Sequence, residues 1–497
     1  MKCGNLAQYR DGFLRSKSIE DEERRKLMRM RRWLVSGVIL PLLIGACVPA
    51  ATPTPTPSPV PPTPTAAAPA PAGPTPTAAP PTPTPAVPGA PAALKIGIVT
   101  FLSGPAASPF GVPARNAAEV LIENLNAGQA PKPYDQKGIG GVPIRAIYVD
   151  EAGGAEKQVA EFRRLVLEEK VDLVIGYISS ADCLAVAPVA EELKTLTVLF
   201  DCGTNQIFEE RDYRYVFRTH AHQVIENVGA ARYILRMKPN LRSIAGINQN
   251  YAWGQDSWAA FRDSVRKLKP DVQVAGEHFP KLFAGEYSAE LSALLAARPE
   301  VVHSSFWGGD LEAFVIQASP RGLFQQSLVV LTTGDTILPR LGRDIPKGIV
   351  IAARGPHGAL APKTPLNDWF VKIYKDRYMV RPVYPSYHIA QAILGVKAAY
   401  EKAIAANGGK WPTVDQVIAA FEYLEFETPS GTIRMALGKG HQAVEPVVLG
   451  ITGDFDPATG EVKLTDVVEF PAECVNPPDG MKTPDWIAQG FPGAKCP

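Results

Sequence analysis

Short apolar runs alternate with amphipathic stretches along the chain from residue 94 onward. Residues 94–99 and 144–149 have the composition of buried strands, and residues 114–127 repeat apolar side chains at helical spacing. The same alternation predicts further strands at 171–176, 197–200, 244–247, 272–278, 301–306 and 328–332, and further helices at 156–169, 184–193, 257–268, 287–296 and 311–317. The pattern runs through one unit and restarts near residue 244. It therefore predicts an α/β fold of two similar lobes with a cleft between them.

The segment before residue 94 has a different pattern. Residues 48–92 consist almost only of Pro, Thr and Ala and contain no charged side chain. Such a segment cannot bury apolar surface, and each proline lacks a backbone donor. We predict a linker, either an extended polyproline-like stalk or a disordered spacer.

A basic run and a mostly apolar segment, Trp33–Ile44, precede this linker. Twelve residues are too few to span a membrane comfortably, but they suit the core of a signal peptide. The next residues complete Ile44-Gly45-Ala46-Cys47, which resembles the bacterial lipobox, where cleavage leaves a lipid-bearing cysteine. We predict a signal peptide at 1–46, lipidation of Cys47 and a tether at 47–92. The alternative is an uncleaved anchor that ends in a free cysteine.

The remaining cysteines suit an oxidising compartment. Apart from Cys3 and Cys47, the chain holds an even set, Cys183, Cys202, Cys474 and Cys496. Four cysteines allow three pairings, and proximity in sequence favours Cys183 with Cys202 and Cys474 with Cys496. A zinc site is the alternative, but neither CxxC nor HxxxH accompanies these cysteines.

Charge and motifs exclude several classes of function. The chain has 51 Lys and Arg residues and 50 Asp and Glu residues, so it lacks the basic excess of a nucleic-acid-binding protein. The sequence has no GxSxG, HExxH or GxxxxGK[ST] motif, and no GxGxxG follows a predicted strand. We therefore expect that the protein is not an enzyme and that it holds no cofactor or metal ion.

Polar and aromatic residues follow the predicted strands, where parallel sheets gather their ligands. In the first unit these are Phe101, Ser103, Gly104, Pro105, Asp150, Glu151, Tyr177, Ser179, Ser180 and residues 201–205. In the second unit they are Tyr251, Trp253, Gly254, Trp307, Gly308, Gly309, Gly334 and Asp335. These residues are the candidates for a ligand site in the cleft.

Six motifs follow one another between residues 94 and about 452. They are KIGIVTFLSGPAASPFG, VDE, KVDLVIGYISSADCLAVAPVAEE, DYRYVFRTHAH, NYAWGQDSWAAF, and FETPSGTIRM with GKGHQAVEPVVLGI. Together they resemble the leucine/isoleucine/valine-binding family of extracellular solute-binding proteins, which have the type I periplasmic binding fold. The resemblance implies two Rossmann-like lobes with parallel sheets, joined by a multi-strand hinge. It places lobe I at 93–219 plus about 354–428, lobe II at 220–353 plus about 429–455, and a C-terminal extension at 456–497.

The resemblance also implies roles for several residues. In this family a hydroxyl-rich turn at a helix amino terminus holds the ligand's carboxylate, and Ser179 and Ser180 occupy that place. The next turn, with Gly203, Thr204 and Asn205, suits bonding to a carboxylate or amine. Asp335 matches the acid that meets the ligand's ammonium, and Tyr251 matches the aromatic that closes over it. Ordinary alternatives exist, since serine commonly caps helices and aspartate is common in turns.

The chain departs from the family pattern near the fourth strand. Asp201 would be costly to bury alone, so either the ligand brings a positive or donor group or Asp201 pairs internally with an arginine such as Arg218. Tyr177 and Trp307 indicate an aromatic-walled pocket, which argues against a small branched aliphatic ligand. Ser103 completes the candidate set, and a disulfide between Cys183 and Cys202 would lie beside the cleft.

The resemblance predicts a function and partners. We expect a substrate-binding protein of an ABC importer that captures an amino acid or amino-acid-like solute by hinge closure. It would dock on permease subunits and lie on the outer face of the cytoplasmic membrane or in the periplasm, held by its lipid. The alternative is the ligand-sensing head of a signalling system with the same fold.

Overall fold

The structure of the protein is a computed structural model, and it describes residues 87–497. The predicted signal peptide, Cys47 and nearly all of the tether lie outside these residues. Within the described range, no helix is both long and apolar enough to cross a membrane.

Strands and helices alternate as the sequence predicts. The strands are β1 (Leu94–Thr100), β2 (Ile144–Asp150), β3 (Leu173–Gly176), β4 (Thr197–Leu199), β5 (Val216–Arg218), β6 (Ser243–Ile247), β7 (Gln273–His278), β8 (Val301–Ser304), β9 (Leu328–Leu331), β10 (Val350–Ala352), β11 (Glu425–Thr428), β12 (Gly431–Leu437), β13 (Gln442–Val444), β14 (Val447–Asp456) and β15 (Glu461–Phe470). The helices are α1 (Val112–Ala127), α2 (Ala155–Leu167), α3 (Ser180–Glu192), α4 (Gln206–Glu209), α5 (Val224–Met237), α6 (Ala252–Leu268), α7 (Ser288–Ala297), α8 (Gly309–Ala318), α9 (Leu323–Gln326), α10 (Leu338–Leu341), α11 (Pro365–Tyr378), α12 (Tyr384–Ala406), α13 (Val414–Phe421), α14 (Ala472–Val475) and α15 (Thr483–Ala488). Every strand and helix predicted from the pattern is present.

Helix ends follow local chemistry. The α1 helix has Pro113 in its first turn and ends at Gly128, whose φ of 69° is left-handed and therefore favours glycine. The α13 helix begins with a capping box, in which the Thr413 hydroxyl accepts from the Gln416 amide and the Gln416 side chain returns to Thr413.

Lobe I is built on an eight-stranded sheet in the order β11-β12-β13-β5-β4-β3-β1-β2. The strands from β5 to β2 are parallel, and β11, β12 and β13 pair antiparallel at the far edge. The structure corrects one predicted boundary here. Residues 431–444 belong to lobe I rather than to lobe II, because β13 pairs with β5 and carries β12 and β11 with it.

Lobe II is built on a seven-stranded sheet in the order β15-β14-β10-β9-β8-β6-β7. Its central strands are parallel, whereas β14 runs antiparallel to β10 and β15 runs antiparallel to β14. The two lobes are connected by three chain crossings, at residues 219–223, 353–364 and 445–446. These crossings form the hinge that the resemblance implies.

The predicted C-terminal extension at 456–497 is shorter in the structure, because β15 belongs to the sheet of lobe II. The remaining residues 471–497, which we call the strap, contact both lobes. Cys474, Trp486 and Phe491 are buried in the core of lobe II. Towards lobe I, the Thr483 amide donates 3.0 Å to Glu209, and Lys482 pairs with Glu210 at 3.1 Å. The strap therefore bridges the lobes beside the hinge.

Both favoured cysteine pairings are present as disulfides. Cys183 bonds to Cys202 within lobe I, in the same packed cluster as Tyr177, and Cys474 bonds to Cys496 within the strap. This arrangement rules out the zinc alternative for these four residues. Among the described residues, no group of three or more His, Cys, Asp or Glu side chains could hold a metal ion.

Candidate functional site

The cleft between the lobes is closed by direct contacts at its mouth. The Gly309 amide, at the start of α8 in lobe II, donates 3.0 Å to the Pro105 carbonyl in lobe I. Four aromatic rings pack across the same boundary. The ring centroids of Phe101 and Phe110 from lobe I lie 5.9 and 5.3 Å from that of Trp307, and Phe283 lies 5.2 Å from it. Aromatic rings therefore line the mouth of the cleft, and of the two predicted wall residues Trp307 is the one among them.

Tyr251 and Trp307 act as a pair on the lobe II side. The Trp307 indole N–H donates 2.7 Å to the Tyr251 hydroxyl, and Trp307 is 3% exposed. Because the indole N–H is only a donor, Tyr251 is its one acceptor in this contact. The hydrogen bond sets the orientation of both rings.

Tyr251→Phe is expected to destabilise the protein by about 1–2 kcal/mol, because it leaves the buried indole N–H of Trp307 without an acceptor. Urea unfolding measures the change. The matched control is Tyr423→Phe, whose residue is 60% exposed and whose hydroxyl loss is expected to have little effect. Equal stability of the two variants would contradict the role given to this hydrogen bond.

Ser180 and Thr204 meet on the lobe I side. The Thr204 amide donates 3.2 Å to the Ser180 hydroxyl, and the Thr204 hydroxyl donates 2.7 Å to Asp256 of lobe II. The amino terminus of α3 also carries a carboxylate of its own. Glu151 is fully buried and accepts from the Ile178 and Ser179 amides at 2.7–2.9 Å, and burial raises its pKa well above the usual range.

Gly203 of lobe I lies against Trp253 of lobe II. A Cβ atom on Gly203 would stand 2.1 Å from the Trp253 ring and 3.0 Å from the Arg354 guanidinium carbon. The Trp253 ring is held by its own indole N–H, which donates 2.8 Å to the Ser305 carbonyl. Glycine is therefore required for the lobes to close to this distance.

Arg354 occupies the floor of the cleft, on the second hinge crossing. Its Nη1 hydrogen bonds to the carbonyl of Asp201 and lies 3.3 Å from the Asp201 carboxylate, and its Nε lies 3.6 Å from Glu226. The guanidinium lies 4.4 Å from the Trp253 ring centroid and 5.6 Å from that of Tyr384. It is a buried cation with two acids and two aromatic faces around it.

Three buried histidines extend this cluster through the hinge. His388 Nδ1 lies 2.8 Å from Asp201, and its ring packs 4.4 Å from that of His220 and 4.6 Å from that of His357. Burial lowers the pKa of all three histidines well below the usual range, so they are neutral near pH 7. Glu445, on the third crossing, accepts from the Ala221 amide at 2.9 Å and from Gln391 at 2.8 Å. Each of the three crossings thus contributes to one polar cluster.

The comparisons with known proteins agree on one family. A family model described as periplasmic binding protein matches residues 93–451, which is more than half of the chain. The chain belongs to the periplasmic binding protein family. The resemblance to the leucine/isoleucine/valine-binding group is confirmed, and the family consists of solute-binding proteins rather than enzymes.

Three relatives illustrate the similarity. The leucine-specific-binding protein of Salmonella typhimurium is 24% identical over 263 residues, which are 52% of this chain and 66% of that protein. The alignment thus spans just under two thirds of this curated relative. A solute-binding protein of an ABC transporter from Rhodopseudomonas palustris BisB5, in complex with 3,4-dihydroxybenzoic acid, has a TM-score of 0.64 and 22% identity, covering 77% of this chain and 98% of that one. A second such protein from R. palustris, in complex with benzoate, has a TM-score of 0.64 and 20% identity, covering 78% and 99%.

Not every predicted site residue of this periplasmic binding protein faces the cleft. Tyr177 is fully buried with Phe162 and Cys183 on the other side of the sheet, so it does not form a cleft wall. Asn205 donates 2.6 Å to Glu209 and accepts from Gln223. Exposed Ser103 hydrogen bonds to Asp150, which also caps the Leu102 and Ala152 amides and so organises this turn.

Two predicted acids have internal partners. Asp335 accepts from the Ala359 amide at 2.9 Å and the Tyr384 amide at 3.0 Å, and its role towards a ligand's ammonium stays a prediction. Asp201 does pair with an arginine, but with Arg354 and not with Arg218.

Arg354 and His388 are functional candidates that sequence reasoning missed. The sequence offered one signal for each. Arg354 is a charged residue directly after the apolar run 349–353, and His388 is a histidine inside an apolar helix.

Glu226→Gln is expected to flatten the dependence of stability on pH. Burial raises the pKa of Glu226 to about 8, although Arg354 opposes the shift. The folded protein therefore holds a proton that the unfolded chain, with a glutamate pKa near 4.5, releases. Between these values the free energy of unfolding falls as pH rises, by up to about 1.4 kcal/mol per pH unit for this group.

Urea unfolding at pH 5.5, 6.5 and 7.5 measures this slope, and the variant should have the shallower one. The control is Glu286→Gln, because hydrogen bonds from Ser288 lower the pKa of Glu286 and it is ionised in both states over this range. Parallel slopes for wild type and Glu226→Gln would show that Glu226 is ionised in the fold.

Proposed function

We propose that this protein is the lipid-tethered substrate-binding protein of an ABC importer and captures a small amino-acid-like carboxylate by closing its two lobes. The observation that carries the proposal is the set of contacts across the cleft. Lobe I brings Ser180 and Thr204, and lobe II brings Trp253 and the Tyr251–Trp307 pair. Residues from both lobes therefore complete one site only when the lobes meet.

The ligand class rests on shared chemistry. Leucine, benzoate and 3,4-dihydroxybenzoate, named with the relatives, each carry one carboxylate on a small apolar body. The Ser180 hydroxyl is a candidate partner for the carboxylate, although Glu151 already accepts from the Ile178 and Ser179 amides before α3, and the rings of Phe101, Phe110 and Trp307 offer a flat apolar wall. This combination supports a carboxylate with a ring or a similarly flat body.

The partners follow from the importer role. Its permease subunits would receive the closed, loaded protein at the outer face of the cytoplasmic membrane. The relatives with solved structures are named as solute-binding proteins of ABC transporters, which favours transport over a sensing head. The predicted lipid at Cys47 would keep the protein near the permease.

A thermal-shift experiment with matched ligands tests the ligand class. The protein is stripped of carried-over solute by unfolding and refolding, then tested with leucine, benzoate and 3,4-dihydroxybenzoate beside their amides. A true ligand at 100 times its Kd adds about 2.7 kcal/mol, so we expect a raised midpoint with at least one acid and none with its amide. Ser180→Ala should weaken the response, whereas Ser292→Ala, on the exposed face of α7, should not. An equal response to acid and amide, or no response from folded protein, would refute the class.

Membrane fractionation tests the tether. Wild-type protein expressed in a bacterium should sediment with membranes and be released by detergent, whereas Cys47→Ala should not be lipidated. Cys3→Ala is the matched control and should behave as wild type. A Cys47→Ala protein that still carries lipid would disprove this anchor.

A further inference from the structure

A second cavity lies beneath the strap, away from the cleft mouth. It has a volume of about 260 Å³ and is bounded by the loop 205–212, the hairpin turn 437–439 and strap residues 477–482. Its inner end is formed by Arg218 and His222, at the first hinge crossing. We call it the strap pocket.

Arg218 brings a buried positive charge to this pocket, where burial lowers the pKa of Arg218 and nearby Glu209 opposes that shift but forms no ion pair with it. Its side chain is fully buried, and Nη1 donates to the Cys202 carbonyl at 3.0 Å and the Thr204 carbonyl at 2.6 Å, while Nε donates to Gln442. Nη2 has no hydrogen-bond partner among residues 87–497, and no carboxylate of that range forms an ion pair with Arg218. A buried guanidinium of this kind is costly unless an anion complements it.

His222 offers a second donor at the same end. The Val224 amide donates 3.3 Å to His222 Nδ1, so Nδ1 is the unprotonated nitrogen of the ring. Burial lowers the pKa of His222 to about 3, and the neutral ring therefore carries its proton on Nε2. His222 Nε2–H and Arg218 Nη2 are thus two donors that lack a hydrogen-bond partner among residues 87–497, on side chains that line the pocket.

The acids around the pocket are already engaged. Glu209 accepts from Thr483 and from Asn205, and Asp212 pairs with Lys439 at 2.6 Å. Asp479 accepts from the Gly480 amide at 3.0 Å. These three carboxylates of the pocket wall therefore already have partners within the protein. The groups that lack partners are hydrogen-bond donors.

We propose that the strap pocket binds a small oxyanion at Arg218 and His222, separately from the solute in the cleft. The oxygens of phosphate, sulfate or a small carboxylate match the two unused donors, and the cavity has room for an ion of this size. Arg218 also holds the carbonyls on both sides of Gly203. Occupation of the strap pocket is therefore coupled to the turn that closes against lobe II.

Isothermal titration tests the site with three probes. Full-length protein, stripped as above in Tris–chloride, is titrated with phosphate, sulfate or acetate, and sodium chloride at equal ionic strength controls for screening. We expect saturable binding with a stoichiometry of one for at least one oxyanion. Binding by phosphate and sulfate alone indicates an inorganic ion, and binding by acetate indicates a carboxylate. No saturable binding beyond chloride for any probe would overturn the proposal.

Oxyanion binding by single-residue variants tests whether the ion binds at Arg218 and His222. Arg218→Gln and His222→Leu should each weaken oxyanion binding by at least about tenfold, whereas Lys347→Gln on the surface of lobe II should not. His222→Leu keeps the test decisive if Arg218→Gln does not fold. Tyr251→Phe, in the cleft, should retain oxyanion binding, which separates this site from the proposed solute site. Loss of binding in Tyr251→Phe, or full binding in His222→Leu, would overturn it.

Discussion

Arg354→Met is expected to destabilise the folded protein by about 3–5 kcal/mol, the range found when one member of a buried ion pair is removed. Methionine keeps much of the length of the side chain but removes the positive charge that pairs with Asp201 and lies 3.6 Å from Glu226, which is protonated in the fold below about pH 8. Both acids are fully buried, and the Glu226 oxygens and Asp201 Oδ2 have no hydrogen-bond partner among the described residues. Without Arg354, these acids must either stay protonated or carry an uncompensated charge.

The loss is expected to grow as pH rises through the folded-state pKa of Glu226, about 8, because the variant must then keep this acid protonated or bury its charge, and chemical unfolding between pH 7 and 9 measures it. Adding Asp201→Asn should recover part of the stability of Arg354→Met, because the two residues interact directly. The control is Arg242→Met, whose exposed ion pair with Glu300 is worth less than about 1 kcal/mol. A loss in Arg354→Met as small as in the control would contradict the role of Arg354 as counter-ion of the hinge cluster.

Gly203→Ala is expected to weaken solute binding by roughly tenfold to hundredfold, which corresponds to about 1–3 kcal/mol of steric strain. The added methyl group meets the Trp253 ring at 2.1 Å, and Trp253 belongs to the opposite lobe. The clash exists only when the lobes approach, so each lobe should fold as before. The penalty should therefore fall on closure and affinity rather than on stability.

Titration with the carboxylate found in the thermal-shift experiment measures this loss, and circular dichroism checks the fold. Gly276→Ala is the matched control, because its Cβ meets only the His278 side chain, 3.1 Å away on an edge strand. Unchanged affinity in Gly203→Ala would show that binding does not require the closed approach of Gly203 and Trp253.

The fold was largely predictable because its signals are local. Apolar runs and helical spacing identify each predicted element, and the nearest cysteines do form the disulfides. The lobe boundary near residue 429 was missed, because the pairing of β13 with β5 joins residues more than 200 positions apart. Such long-range pairing leaves no signature in local periodicity.

The positions of several candidate residues were predictable, but their contacts were not. Strand-end reasoning placed Ser180, Thr204, Tyr251 and Trp307 near the cleft, where the structure has them. It also included Tyr177, although a strand-end side chain can turn to either side of the sheet and this one packs behind it. A buried acid at Asp201 implied a cation, yet the choice of Arg354, 153 residues away, depends on where the second crossing passes.

Amide hydrogen exchange at Gly309 tests the central claim, that the protein captures its solute by closing the lobes. Gly309 begins α8, and its amide donates to the Pro105 carbonyl of the other lobe. In stripped protein this amide should exchange rapidly, and saturating carboxylate should slow it, while the Val302 amide within β8 of lobe II stays equally protected. Solute binding that leaves exchange at Gly309 unchanged would contradict capture by lobe closure.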